Sequence, residues 1–288
     1  MSFLASLQRS ILFSHLFLAL CAVSLSISTS QFLQLSVSFS PSLGALASAT
    51  VLYYNFHKFS YRLKSYRPDK IMRQLLASTV HPVDRYLFII ASLVFFAAFF
   101  YLDYNEMLVW LIIIFLALCY SLPLLHNGSA YQRLREMSLL KLFVVAFVWT
   151  AATVWLPVMS NLSLLSSYEV FTISFSRFTL VFALCIPFEI RDEKKEYIRG
   201  MNSIMKLGRQ RIVVLTAVAL IISVVFILSL WSDGNNNIAL VAFVIPQLVS
   251  MFWLLHAKPD FPAWYYKGCV DGTMLLPLLF LILFSLCQ

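Results

Sequence analysis

Glu189-Ile-Arg-Asp192-Glu-Lys-Lys-Glu196-Tyr-Ile-Arg-Gly200 is the stretch on which the fold of this chain turns. Four carboxylates stand within its first eight residues. Upstream, 175–188 is hydrocarbon interrupted by Ser176, Arg177, Thr179 and Pro187; downstream, 212–231 is predominantly hydrocarbon again. A dense charged run between two such segments marks the place where one membrane-crossing helix ends and the next begins. Charge at that boundary needs a partner.

The same alternation runs along the whole chain. Of its 288 residues 61% are hydrophobic and 12% are charged, where soluble domains carry about 25% charged residues. Nine apolar segments approach the roughly 20 residues that cross a hydrocarbon core of about 30 Å: 10–28, 41–59, 84–102, 107–125, 139–159, 171–188, 211–231, 237–256 and 270–287. Barrel-type alternation is absent, so these spans are expected to be helices. The polar stretches 60–83 and 189–210 are too short for an independent core. The expectation is an all-α integral membrane protein, a nine-transmembrane-helix bundle forming a single polytopic domain over 1–288. Met1 to Arg9 and the segment after it resemble a signal peptide, but that apolar run exceeds the usual stretch of about 7–15 residues and lacks a small-x-small site. It is read as the first span.

Charge orients the bundle. With nine spans and the N-terminus inside, 20 of the 21 Lys and Arg fall on inner loops, and Arg177 alone lies on the outer half. The positive-inside rule then places the basic loops in the cytoplasm, with the cell's inner (plasma) membrane as the expected location. The net charge of +8 is thereby topogenic, facing anionic lipid heads, and nucleic acid is not an expected partner. Cys21, Cys119, Cys185, Cys269 and Cys287 lie in or beside spans without paired spacing, so neither a disulfide framework nor a zinc site is expected.

Two inner loops hold the polar chemistry. On a helix, Glu189, Asp192 or Glu193, and Glu196 share one face. Carboxylates so placed suit Mg²⁺, which takes one or two of them together with waters and phosphate oxygens; a solvated helix end with ordinary i, i+4 ion pairs is the plainer alternative. In the basic loop, Asn55, Lys58, Phe59 and Arg62 share a face, and cations there suit a phosphate or simply set topology. Pro187 removes one backbone donor, so the sixth helix is expected to kink or restart there. Pro246 and Pro277 do the same in spans eight and nine. Arg177 is expected either to pair with Glu169 or to snorkel to the headgroups. Gln247 and Ser250 either line a cavity or bond between helices. His57 and His81, near the basic loop, are candidate bases or, more plainly, interfacial polar residues.

Spacing adds a resemblance. Asp192-x-x-x-Glu196-x-x-x-Gly200-x-x-Ser203-Ile204-x-x-Leu207-Gly208, preceded by Ile190-Arg191, resembles the second acidic motif of the UbiA superfamily of intramembrane prenyltransferases. Glu stands for that motif's second Asp, and Ser-Ile for its Thr-Leu. The family's first motif, Asn-Asp-x-x-Asp-x-x-x-Asp followed by Arg-Pro-Asp, is matched at Asn55 and at Arg67-Pro68-Asp69. Its three aspartates fall on Phe56, Phe59 and Leu63, which cannot ligate a metal. Nine spans with polar loops after the second and sixth also match that fold.

The resemblance implies a Mg²⁺-dependent transferase that moves an isoprenyl group from a polyprenyl diphosphate to a hydrophobic acceptor. It implies Asp192 and Glu196 as metal ligands, and Asn55, Lys58, Arg62, Arg67 and Lys70 as diphosphate contacts. Loss of the first aspartate set implies the alternative of a non-catalytic isoprenoid- or lipid-binding membrane protein. A transporter is the third class, disfavoured because no span carries a mid-membrane carboxylate pair.

Overall fold

The structure, a computed structural model, describes residues 15–35, 40–62, 82–122, 125–127, 130–132, 134, 137–159, 161, 165–198, 207–230 and 237–286, with backbone alone at 57–62, 82–84, 125–127, 130–132, 138, 194–198, 237–240 and 284–285. Each of the nine apolar segments contains a helix among these residues. In chain order they are α1 (Leu16–Phe32), α2 (Pro41–Arg62), α3 (Pro82–Phe99) and α4 (Tyr104–Ser121), then a hairpin of β1 (Leu125–Asn127) and β2 (Ala130–Gln132). After it come α5 (138–159), α6 (Ser167–Ile198), α7 (Arg209–Ser229), α8 (Asn237–His256) and α9 (265–285). Five are long and apolar enough to cross a membrane: α4, α5, α6, α7 and α9. Shorter apolar helices lie at Leu16–Phe32, Arg85–Phe99 and Val241–His256. This is an all-α, multi-pass membrane protein.

The chain divides into two compact units. The smaller takes in 1–20 and 39–102; there α2 packs along α3 around Ala19, Val51 and Ala91, with Ala47, Leu52 and Leu87 against them. His15 stacks on Tyr54, ring centroids 5.6 Å apart. The larger holds 21–38 and 103–288.

Within the larger unit α6 is the central element. It packs on α5, α7, α8 and the start of α9, and 61% of its apolar window is buried, against 28% for α4 and for α7. The reverse pattern on α7 shows what surrounds the bundle. Its buried positions, Ile212, Thr216, Leu220, Ser223 and Ile227, recur at helical spacing and include its polar Thr216 and Ser223. Its exposed face is Val214, Leu215, Val218, Ile221 and Val225, the most open of them 63% exposed. Polar groups inside and hydrocarbon outside is the arrangement lipid demands.

Proline shapes the helices without ending them. α6 runs through Pro187 and α8 through Pro246, so α6 does not restart at Pro187. Ala183, Leu184, Ile186 and Ile190 around it are all at most 1% exposed, and that packing outweighs one missing hydrogen bond. At Pro277 the effect is local. Thr273 O, deprived of a donor at 277, accepts from Leu276 N–H, and 273–275 tightens to a 3₁₀ turn. α5 carries a π-helical turn over Ala151–Trp155, closed just before Pro157.

Polar side chains stitch α6 to its neighbours. Ser176 Oγ receives Gln247 Nε2 of α8 at 3.3 Å and meets Ser223 Oγ of α7 at 3.1 Å. Gln247 is thus an interhelical partner, while Ser250 bonds its own helix at Pro246 O. Arg177, 2% exposed, donates through Nη2 to Thr29 Oγ1 (3.0 Å) and Leu25 O (3.3 Å) of α1. It therefore neither snorkels nor pairs with Glu169. That carboxylate is occupied at the α6 N-terminus, where it accepts from Ser166 N–H (2.8 Å) and Ser166 Oγ (2.7 Å) while Glu169 N–H donates back to Ser166 Oγ. This reciprocal capping box satisfies donors the first turn leaves open.

Interhelical bonds in bilayers are worth about 0.6–1.7 kcal/mol each. Ser176→Ala, which loses bonds to two helices, is expected to destabilise by about 1–2 kcal/mol, and Ser250→Ala by under about 0.5 kcal/mol. Denaturation of both variants in mixed micelles measures the difference.

Candidate functional site

At its C-terminal end α6 brings charge against the ends of its neighbours. Lys141, on the first turn of α5, places Nζ 2.6 Å from Glu189 Oε2, with side-chain exposures of 8% and 11%. The contact pairs two opposite charges, both largely withdrawn from solvent. Two turns of α5 and α6 are thereby neutralised where both enter the apolar bundle.

Two residues on, Arg191 covers Asp192. Its Nε donates to Oδ1 at 3.1 Å and its Nη2 to Oδ2 at 2.6 Å. The same guanidinium lies over the rings of Phe188 (5.1 Å) and Tyr266 (5.3 Å), cation–π contacts worth about 0.5–2 kcal/mol each. Tyr266 is fully buried. It sits in the π-helical turn Tyr265–Val270 that opens α9, a conformation that recurs at functional sites, and its hydroxyl donates to Lys258 O. Asp271, 9% exposed, stands one turn further along α9. Its backbone carbonyl accepts from Cys21 Sγ at 3.4 Å.

Beyond the charged run, Gly208 has φ +89° and open space where a side chain would stand. The backbone alone explains the glycine of the Leu207-Gly208 pair, since a left-handed φ favours glycine. Next to it Arg209 Nη2 donates 2.7 Å to Ala257 O, capping the carbonyl end of α8 with a cation.

Of the seven site residues expected from sequence, two have described side chains, and they belong to different units. Asp192 is in the larger unit as above. Asn55, in the smaller, is fully buried; its Nδ2 donates to Val51 O at 2.9 Å, and its Oδ1 has no hydrogen-bond partner among the described residues. Glu196 lies on the backbone of α6 one turn beyond Asp192, and Lys58 and Arg62 on that of α2; their side chains are outside the described residues, as are Arg67 and Lys70 entirely. His57 has backbone alone and His81 lies outside.

Mg²⁺ would use Asp192 and Glu196. Among the described residues no three His, Cys, Asp or Glu side chains form a metal-holding group. Both Asp192 oxygens are already bonded to Arg191, so this arrangement does not fit a metal until that guanidinium moves away. Sequence reasoning missed three members of the site: Lys141, Tyr266 and Asp271. Asp271 had a signal, a carboxylate inside an apolar run. Lys141 looked like one more topogenic cation, and nothing distinguishes Tyr266 among 13 tyrosines.

The chain matches no protein-family model and no curated protein. The fold and this site define it as an all-α membrane protein with a buried, neutralised charge cluster at one end of its central helix.

Breaking a buried pair strands a charge at a cost of about 3–5 kcal/mol, whereas replacing both partners is close to neutral. Lys141→Met is accordingly expected to destabilise strongly and Lys141→Met/Glu189→Gln to recover most of the loss, read as unfolding free energies in one double-mutant cycle.

Proposed function

We propose that the chain is a UbiA-like intramembrane prenyltransferase, which binds a polyprenyl diphosphate and moves its isoprenyl group to a hydrophobic acceptor. The observation supporting it most is the continuity of α6 through Pro187 to Ile198, which puts positions 192 and 196 one turn apart on one helical face. In this proposal all nine helices span, the N-terminus is cytoplasmic, and the charged end of α6 faces the cytoplasm at the inner membrane, as the basic loops require. Mg²⁺ held by Asp192 and Glu196 would neutralise the departing pyrophosphate. Arg191 moves from Asp192 to the phosphate, for which its planar fork is suited. Tyr266 and Phe188 stay beneath the guanidinium and keep the apolar side dry. Asn55, Lys58, Arg62, Arg67 and Lys70 complete the diphosphate contacts on the strength of the motif resemblance.

A second reading, a non-catalytic isoprenoid- or lipid-binding protein, is favoured by the two bonds that hold Asp192 to Arg191 and by Phe56, Phe59 and Leu63 at the lost aspartate positions.

The full chain in membranes, given Mg²⁺ and labelled geranylgeranyl or farnesyl diphosphate, is expected to release pyrophosphate. Asp192→Ala is expected to lower the rate by about a hundredfold or more, and EDTA to abolish it. Equal release from parent and variant removes Asp192 from the mechanism. Saturable, EDTA-insensitive binding without release selects the second reading.

A further inference from the structure

Arg177 is 2% exposed within the apolar length of α6. It lies 12 residues before Glu189 and eight after Glu169 on one continuous helix, roughly 18 Å from the first and about 12 Å from the second at 1.5 Å per residue. A guanidinium at that depth is expensive and ordinarily faces a counter-ion. Here none is supplied by the described residues. Glu169 is held in its capping box, and Glu189 pairs with Lys141. Arg177 has only the dipoles of Leu25 O and Thr29 Oγ1, both through Nη2, and the ring of Phe243 at 5.6 Å.

The other terminal nitrogen, Nη1, is buried with no hydrogen-bond partner among the described residues. A second buried group is unsatisfied on the same α6–α8 seam. Gln247 bonds Ser176, the neighbour of Arg177, through Nε2, while its Oε1 has no partner. Phe243, one turn before Gln247, is the residue whose ring Arg177 covers. Which end of an amide carries nitrogen is an assignment rather than an observation. Turned over, Gln247 accepts from Ser176 Oγ–H and offers its NH₂ as a free donor on the same seam. A buried guanidinium nitrogen without a hydrogen-bond partner, and an amide with one end unsatisfied on the same helix seam, signal a missing ligand, and the charge makes that ligand an anion rather than water.

We propose that Arg177 anchors an intramembrane binding site for a monoanion, a halide or a carboxylate, held by Nη1 with Gln247 as the second contact. One negative charge suffices: the surrounding partners Thr29, Ser176 and Gln247 are neutral, so a dianion would leave an excess buried charge. The carboxylate can arrive as a free small ion or as the head of an amphiphile whose tail lies among the helices. The site is separate from the charged end of α6 and independent of the transferase proposal.

Binding of radiolabelled chloride, acetate and oleate to the purified full chain in detergent micelles tests this. Saturable binding is expected, weakened at least about tenfold by Arg177→Gln and partly retained in Arg177→Lys. Gln247→Leu, which keeps the cation, is expected to weaken it less. Chloride or acetate binding identifies a free ion; oleate binding alone identifies an amphiphile head. Failure of the parent chain to bind any of the three overturns the proposal, whether or not the variants fold. Binding unchanged in Arg177→Gln also overturns it.

Discussion

A charge inside hydrocarbon must be neutralised or the helix carrying it leaves the membrane, and α6 carries several. This constraint organises the larger unit. Lys141 enters the bundle because Glu189 is there to receive it. Arg191 stays at the boundary because Asp192 takes its donors and two aromatic faces take its charge. Arg177 recruits the carbonyl end of an α1 turn. With apolar contacts as good to lipid as to protein, such polar links and close packing decide which helices associate.

The neighbours conform to the same rule. α7 turns Thr216 and Ser223 inward and a hydrocarbon face outward. Its first turn places Arg209 on the carbonyl end of α8, after a glycine whose positive φ aims the chain into the helix. α9 opens with a π turn and then a 3₁₀ turn, non-ideal backbone that stays inside protein with Tyr266, Val270 and Thr273 buried. The charged end of α6 thus meets Lys141 of α5 and Tyr266 of α9.

Much of this was legible from sequence. Tyr104–Ser121 and Arg209–Ser229, long and apolar enough to cross a membrane, fall where apolar length put spans, because burial in lipid depends on composition over about 20 residues and little else. α6 instead extends through the charged run to Ile198, where apolar length ended the span at 188 and 189–210 was read as an inner loop whose carboxylates share a face only on a helix. What failed was partner choice. Arg177 seemed destined for Glu169 or the headgroups because sequence shows proximity along one helix, and its actual partners come from α1, some 150 residues earlier, at |i−j| of 148 and 152. The ion pair between Lys141 and Glu189 was invisible for the same reason. Pro187 was expected to kink or restart α6, and the helix does not restart there, because backbone rules carry no information about the packing on either side. Asp192 was legible as a carboxylate on a motif, but not as one held by its own neighbour.

The central claim is that the charged end of α6 receives an isoprenoid diphosphate. Equilibrium binding of a non-ionising farnesyl thiodiphosphate to the full chain in nanodiscs tests it most directly. Saturable binding that weakens at least about tenfold in Arg191→Ala is predicted. Absence of saturable binding, or affinity indifferent to Arg191, would contradict it.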